Sequence, residues 1–401
     1  MKKISLFLIG ILFFNILSAQ ENNTIIGGVY DKQSKEPLIS ASVYYLNSSP
    51  CTITNIDGEF LIDRIANPDS IVFSYVGYVT EKYSIDNLPS KIFLDRSFTN
   101  LPEIVIIPGY ASKIAKKVRE KYSKIYNQEK KNKNKESSFF YRQITKSDTI
   151  YNEFVECFLT GDHTFALDNL KLQQGRYAKI KLDSLFHLTF TNFFQLSKIS
   201  PYRPKNASKN EIITCLQPNF DQIYYVEMED RIYSEEGDIL VLNFQPKKEE
   251  NKAIISGKLY VKETDLAIVR FEGSVYMPMT IHNAKRKESQ MGTFTFRINY
   301  KEQPDSYPIV ETVNCTLSNN ISIKNVKHNF QVVSTLFWVE QNSGKSGKKL
   351  DSKDKLIEKI NKTKYDSEFW KNNPIVKRTK VEENVIKTFE NRNAFGTFKS
   401  E

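Results

Sequence analysis

The sequence predicts a mainly β protein in which a small antiparallel β-sandwich is followed by a linker helix and a larger α+β domain dominated by an antiparallel meander. Three observations predict it. Between Thr24 and Leu94, short runs of Val, Ile, Tyr, Phe and Thr alternate with polar residues and break at Gly, Pro, Asn or Asp every eight to twelve residues. Over Ala111–Glu129 the apolar residues step instead by three and four, the helical period. From Ser137 to about Glu340 the two-residue alternation returns, in a longer series of runs.

The breaks in the first series have identifiable causes. Asp57-Gly58 lies between Thr52–Thr54 and Glu59–Ile62, and glycine supplies the positive φ of a tight hairpin turn. Pro37 fixes its own φ and lacks a backbone donor, so it belongs in a loop or on a strand edge. Gly77 divides Ile71–Tyr75 from Tyr78–Ile85.

Gly28-Val29 with Asp31, Pro37-Leu38 with Ala41 and Val43, Thr54-Asn55 before Asp57-Gly58 and Phe60, and Tyr75-Val76-Gly77-Tyr78 occur in one order over roughly seventy residues. In these the stretch resembles the carboxypeptidase-regulatory-like (transthyretin-like) domain common in secreted proteins of Bacteroidota. The resemblance implies a seven-stranded sandwich and a non-catalytic role; in that family the domain also precedes the plug of TonB-dependent transporters.

Five segments follow from this reading. Residues 1–19, with Lys2-Lys3, the apolar Ile4–Leu17 and Ser18-Ala19-Gln20, read as a signal peptide whose removal starts the mature chain near Gln20. The apolar run is shorter than the ~20 residues a spanning helix needs, and no later segment is apolar enough to span a bilayer as a helix. Residues 24–98 form the sandwich and 99–135 a strand, an amphipathic helix and a basic linker. Residues 136–340 form the β-rich domain, and 341–401 a basic linker and helical tail.

In the connecting segment, Leu101–Pro108 is an apolar strand bracketed by prolines. It is similar to the stretch that follows the sandwich in TonB-dependent transporters, whose barrel needs more strands than the remaining chain supplies. Ile114, Ala115, Val118, Tyr122, Ile125 and Tyr126 make one helix face, with Lys and Arg opposite. A membrane-surface helix shows the same pattern, but Tyr and Ala make a weak apolar face, which favours docking on the domain that follows. Lys130–Lys135 reads as a self-repelling linker.

The larger domain offers strands at Ser138–Ile144, Tyr151–Leu159, Tyr224–Met228, Ile239–Phe244, Ile254–Lys262, Ala267–Tyr276, Gly292–Tyr300, Ile309–Leu317 and Lys327–Trp338. Glu236-Gly237-Asp238, Thr264-Asp265 and Pro304-Asp305 mark turns, and Lys181–Ile199 has helical spacing. Phe139–Arg142, Phe244–Pro246, Gly257–Tyr260 and Asp265–Val269 are similar to the C-terminal region that accompanies the sandwich in uncharacterised Bacteroidota proteins, a likeness that carries no catalytic residues. In the tail, Gly344-Lys345-Ser346 lacks the strand–helix setting of a phosphate-binding loop and reads as linker. Tyr365–Trp370 and Pro374–Glu390 read as short helices anchored by Trp370, Ile375, Val381, Val385, Ile386 and Phe389.

The formal charge of +10 is local: Lys113–Lys135 carries +8 and Lys345–Glu401 +6, so with the two signal lysines also set aside the remainder is −6. A secreted protein rarely meets nucleic acid, and the basic segments give no reason to expect it. The partners they suit are an envelope protein or an anionic membrane surface.

No catalytic, cofactor-binding or metal-ligating residue is assigned. His163, His187, His282 and His328 have no Glu at zinc-site spacing. Asp148/Glu153 and Glu227/Glu229 read as carboxylates on solvated strand faces, and Cys157, between Glu156 and Phe158, is a nucleophile only with a histidine beside it. Cys51, Cys157, Cys215 and Cys315 have no CxxC spacing. Export permits a disulfide, with Cys157 and Cys215 the pair to consider, but buried free thiols on strands are the commoner outcome. The sequence supports an exported, non-enzymatic binding or scaffold protein of the periplasm or outer membrane, with the sandwich as interaction module. Its alternatives are a carrier of an apolar ligand such as a lipid or glycolipid, and a hydrolase with an unrecognised site.

Overall fold

A computed structural model describes residues 24–46, 51–66, 70–97, 109–129, 136–163, 167–180, 199–204, 212–233, 237–248, 253–283, 286–303, 307–323, 326–341, 348–350, 356–363, 365–372 and 376–396. The proposed signal peptide, the strand at Leu101–Pro108, the linkers at Lys130–Lys135 and Ser343–Gly347, and Lys181–Lys198 of the expected helix lie outside the described residues. The chain is mainly β and divides into two compact units. One comprises Met1–Ser74, Thr80–Leu94 and Pro374–Lys377, the other Tyr75–Val79, Asp95–Asn373 and Arg378–Glu401, each for its described residues.

The smaller unit contains seven described strands: β1 (Thr24–Asp31), β2 (Ser42–Tyr45), β3 (Cys51–Ile53), β4 (Glu59–Asp63), β5 (Ile71–Ser74), β6 (Glu81–Tyr83) and β7 (Lys91–Leu94). They form two sheets, ordered β4-β1-β7 and β3-β2-β5-β6. All described pairs are antiparallel except β1 with β7, which runs parallel from Gly28–Lys91 to Asp31–Leu94. Phe60 of one sheet meets Phe73 of the other at a ring separation of 5.4 Å, and Val29, Val43, Ile62, Ile71 and Ile92 fill the same buried layer. At the β3–β4 turn Gly58 has φ +75°, and a Cβ there would lie 2.8 Å from the Val29 carbonyl oxygen, so the turn requires glycine. Asn55 completes the turn, its Oδ1 accepting from the backbone of Asp57 and Glu59 at 2.9 Å each. From far along the chain, Lys377 joins this unit: its carbonyl accepts from Asn55 Nδ2 at 3.2 Å, and its Nζ lies 2.7 Å from Glu59 Oε2.

The larger unit begins with α1 (Tyr110–Glu129) and the long strands β8 (Glu136–Ser147), β9 (Ile150–His163) and β10 (Leu167–Lys179). After β11 (Ile212–Ile213) and the single turn α2 (Phe220–Ile223) comes a meander: β12 (Tyr224–Ile232), β13 (Ile239–Pro246), β14 (Ala253–Lys262), β15 (Ile268–Asn283), β16 (Arg286–Lys301), β17 (Ile309–Ile323) and β18 (Val326–Gln341). A short β19 (Lys348–Lys349) and the helices α3 (Leu356–Asn361), α4 (Ser367–Asn372) and α5 (Lys380–Asn391) follow. The sheet runs β12-β13-β14-β15-β16-β17-β18-β8-β9-β10-β19, so the first hairpin of the unit extends the end of the meander. A twisted sheet of this width curls. Register shifts at Met228/Asp230, Tyr260/Val261, Asn299/Tyr300, Thr145/Lys146 and Trp338/Glu340 add the local bends that bulges impose.

Most strands run longer than the sequence runs indicate, because the pairing partner, not the alternation, ends them: β15 and β16 stay paired out to Asn283–Arg286. β10 is absent from the sequence reading. Two register shifts against β9, at Asp168/Lys171 and Leu172/Gln174, break its two-residue period. The tail differs as well. The second tail helix starts at Lys380 rather than Pro374, because Thr379 and Glu382 form a reciprocal capping box that fixes its first turn. Val381, expected as an anchor, is 48% exposed, while Val385, Ile386 and Phe389 are buried. Ile375 lies outside the described residues.

Candidate functional site

The large sheet is one-sided, and its register shows how. Directly opposed residues form a row Leu242, Leu259, Phe271, Ile298, Val313, Leu336, Tyr141, Cys157 and Gly175, crossing from β13 to β10. The adjacent row, one residue along every strand, reads Asn243, Lys258, Glu272, Arg297, Asn314, Thr335, Arg142, Glu156 and Arg176. Successive strand residues point to opposite faces, so the first row belongs to an apolar face and the second to a polar one. Phe294, Phe296, Cys315, Leu317, Phe330 and Val332 extend the apolar face, all in one continuous buried cluster.

Helix α1 covers the β12–β15 end of this face. Ala111, Ile114, Ala115, Val118, Tyr122 and Ile125 enter the same cluster, as their spacing predicts. Tyr122 Oη accepts from the Ile268 backbone at 3.0 Å, and Tyr110 Oη donates to Glu263 at 3.1 Å. Burial pushes the Tyr122 phenol well above its usual range. At the other end Leu356, Ile357 and Ile360 of α3 join the cluster, and Ile360 rests on Gly175, where a Cβ would lie 2.6 Å from its Cγ1. Glycine at 175 is what lets the helix reach the sheet.

Within the apolar face lies one hydrogen-bonded polar row. Tyr141 Oη donates to Gln143 Oε1 at 2.7 Å, Gln143 Nε2 to Thr145 Oγ1 at 3.4 Å, and Thr145 Oγ1 to Glu153 Oε2 at 3.2 Å. Tyr177 Oη donates to Glu153 Oε1 at 2.6 Å. All five side chains are at most 1% exposed. Burial holds the Tyr141 phenol far above its usual range, and a hydrogen bond from Ser334 works against that rise. Unpaired burial of such groups is costly, so this row is a committed feature: a carboxylate and hydrogen-bonding side chains set in an otherwise apolar wall.

The polar face carries a second buried cluster, beneath the tail. Glu156 Oε1 accepts from Arg142 Nε at 2.7 Å, and its Oε2 accepts from Arg176 Nε at 2.8 Å and Nη2 at 2.5 Å. Burial opposes ionisation of Glu156, but Arg176, Arg142 and Arg378 outweigh it and bring its pKa down to about 2. Helix α5 packs beside this cluster, with Val385, Ile386 and Phe389 against Phe154 and Ala178.

The residues weighed from sequence are dispersed. His328 Nδ1 lies 2.9 Å from Asp148 Oδ2 at the β8–β9 turn, where the Asn329 backbone donates to Asp148 Oδ1. That histidine bond holds the Asp148 carboxyl below its usual range. Asp148 and Glu153 therefore bind different partners. Glu227 and Glu229 are exposed on β12, and Lys258 pairs with Glu229. His163 ends β9 and His282 lies near the end of β15; His187 is outside the described residues. Cys157, Cys215 and Cys315 are buried and form no disulfide among the described residues. Cys215 lies in a turn rather than on a strand. Burial, then the neighbouring Glu156, pushes the Cys157 thiol far up, away from the nucleophilic thiolate. Glu153, expected on a solvated strand face, is instead fully buried, because the face it shares with Thr145 and Tyr177 is the interior one. The roles of Tyr177, Arg142 and Arg176 are not read from the sequence, where their only signal is polarity at positions where a strand is covered.

The architecture is that of a small β-sandwich unit coupled in one chain to a large, one-sided antiparallel sheet. Residues 25–106 match the family model of the CarboxypepD_reg-like domain, which places the sandwich within that domain type. No curated protein matches the chain. Among solved structures, a LolA superfamily protein from Nitrosomonas europaea aligns over 58% of this chain and 94% of its own, with 10% identity and a TM-score of 0.22. A domain described as an outer membrane lipoprotein-sorting protein, from Vibrio parahaemolyticus, aligns over 58% of this chain and 95% of its own, with 12% identity and a TM-score of 0.23. These scores are too low for either protein's properties to be carried to this chain. Among the described residues no helix is long and apolar enough to cross a membrane.

Proposed function

We propose that this chain is an exported, non-enzymatic binding protein of the cell envelope whose large sheet carries an apolar ligand of lipid or glycolipid type. The sandwich, for which its resemblance to domains of secreted Bacteroidota proteins implies a non-catalytic role, serves as the module that engages an envelope protein. The observation that carries the reading is the one-sidedness of the sheet. A row of apolar side chains crosses from β13 to β10 beside a row that is polar at every strand. A ligand with an acyl chain and a polar end matches the apolar wall with its single polar row at Gln143, Thr145, Glu153 and Tyr177. The short edge strands β3, β4, β6 and β7 leave backbone groups for pairing with a partner.

The test is to purify the full chain from its native envelope, extract it with organic solvent and identify co-purified lipid by mass spectrometry. Displacement of a fluorescent fatty-acid probe is measured in parallel. The expected result is about one amphiphile per chain and saturable displacement. Absence of both a bound amphiphile and saturable probe binding overturns the carrier reading and leaves partner binding by the sandwich.

A further inference from the structure

Two hairpins leave the body of the large sheet at the same end. β16 and β17 pair only as far as Thr293–Ser318, yet β15 stays paired with β16 out to Asn283–Arg286, and β17 with β18 out to Ile323–Val326. Among the described residues β14 pairs with β15 only up to Val275, and β8 with β18 only from Phe330. Past those points each hairpin is a two-stranded arm, which is marginally stable in water without something to cover it. In register, Met277, Met279 and Ile281 continue the row of Phe271 and Val275 outwards. Ile321, Ile323 and Val326 resume that of Leu317 and Phe330 past Asn319 and His328. One apolar stripe therefore reaches the end of each arm.

The ends of the arms are also basic. Lys285-Arg286-Lys287 in the first hairpin and Lys324 with Lys327 in the second stand against one acid, Glu288, over residues 277–291 and 319–328. They lie outside both basic segments of the chain, in the remainder whose net charge is −6, so the concentration is local. Asp148, at the base of the second arm, is already bonded to His328 and to the Asn329 backbone. Aliphatic residues beside clustered lysine and arginine suit the boundary between acyl chains and anionic head groups. An added strand fits less well, since Pro278 removes a backbone donor from its arm and charged ends discourage strand addition. We propose that the ends of the β15–β16 and β17–β18 hairpins together dock on an anionic lipid bilayer. The purpose of that docking, to bring the apolar face to the membrane that supplies its ligand, rests on the carrier reading; the contact itself does not.

The test is sedimentation of the full chain with vesicles of phosphatidylglycerol and phosphatidylcholine, against vesicles of phosphatidylcholine alone. Binding is expected to the anionic vesicles only, and to weaken with added sodium chloride. The combined change Lys285→Gln, Arg286→Gln and Lys287→Gln is expected to lower the partition coefficient roughly 100-fold, at about fivefold per basic residue. Lys113→Gln with Lys117→Gln, on the exposed side of α1, is expected to leave it within about twofold. Ile323→Trp is expected to add an emission that moves to shorter wavelength on anionic vesicles. No binding to anionic vesicles overturns the docking surface, as does binding that depends as much on the α1 lysines as on the hairpin ones. Unshifted emission from vesicle-bound Ile323→Trp overturns it too. Displacement of the fatty-acid probe reads carriage separately. Saturable displacement without vesicle binding overturns docking alone, and vesicle binding without displacement overturns the carrier reading alone.

Discussion

Replacing Glu156 by Gln tests the account of the buried charge cluster most directly. The carboxylate is 1% exposed and accepts from both Arg142 and Arg176. Its pKa falls from an ordinary 4.5 to about 2 in the folded chain. At about 1.4 kcal/mol per unit, the charged form favours folding by about 3 kcal/mol. Because the folded value is the lower one, the unfolded chain takes up the proton first as pH falls. The contribution is complete above pH 4.5, declines below it, and is exhausted near pH 2. About 2 kcal/mol of it should be gone by pH 3. In Glu156→Gln the arginines lose their counter-charge, and a neutral-pH loss of about 3–5 kcal/mol is expected. The assay is urea unfolding of both proteins between pH 7 and pH 3, followed by circular dichroism. The deficit of the variant should shrink by about 2 kcal/mol as pH falls to 3. A deficit constant across that range would refute the ion-pair account and leave a packing effect.

Three further outcomes follow from particular contacts. Gly175→Val places a side chain where Ile360 now sits, 2.6 Å from a Cβ, and should lower stability by about 1–3 kcal/mol while raising proteolysis within α3. Unchanged cleavage would show that α3 does not depend on Gly175. Tyr177→Phe removes the 2.6 Å donor to Glu153 Oε1 and should cost about 1–3 kcal/mol by denaturant unfolding; a neutral result would mean another donor replaces it. A fragment Thr24–Arg96 lacks Lys377, which supplies an acceptor to Asn55 and an ion pair to Glu59, and should melt roughly 5 °C or more below the smaller unit's transition in the intact chain. An identical melting point would show that the unit needs nothing from the tail.

The sequence by itself determined the elements whose stability is local. Gly58 with Asp57, the alternation of β14 through Ile255, Leu259 and Val261, and the spacing of Ile114, Val118, Tyr122 and Ile125 each follow from short-range sterics or from the period of a strand or helix. Only the tertiary structure decided which strands became neighbours. Pairing of β18 with β8 joins segments distant in sequence and sets Thr335 beside Arg142, on the face where the hairpins β8–β9 and β9–β10 line up Arg142, Glu156 and Arg176. It decided that Lys377 serves the smaller unit and Tyr75 the larger, where the Tyr75 hydroxyl hydrogen-bonds Arg297. The bulges that hide β10 from a period-two reading arise from its fit to β9. A charged residue on a strand reads as solvent-facing until the chain that buries it is in place, and for Glu156 that chain begins some two hundred residues later, at Trp370 and Arg378.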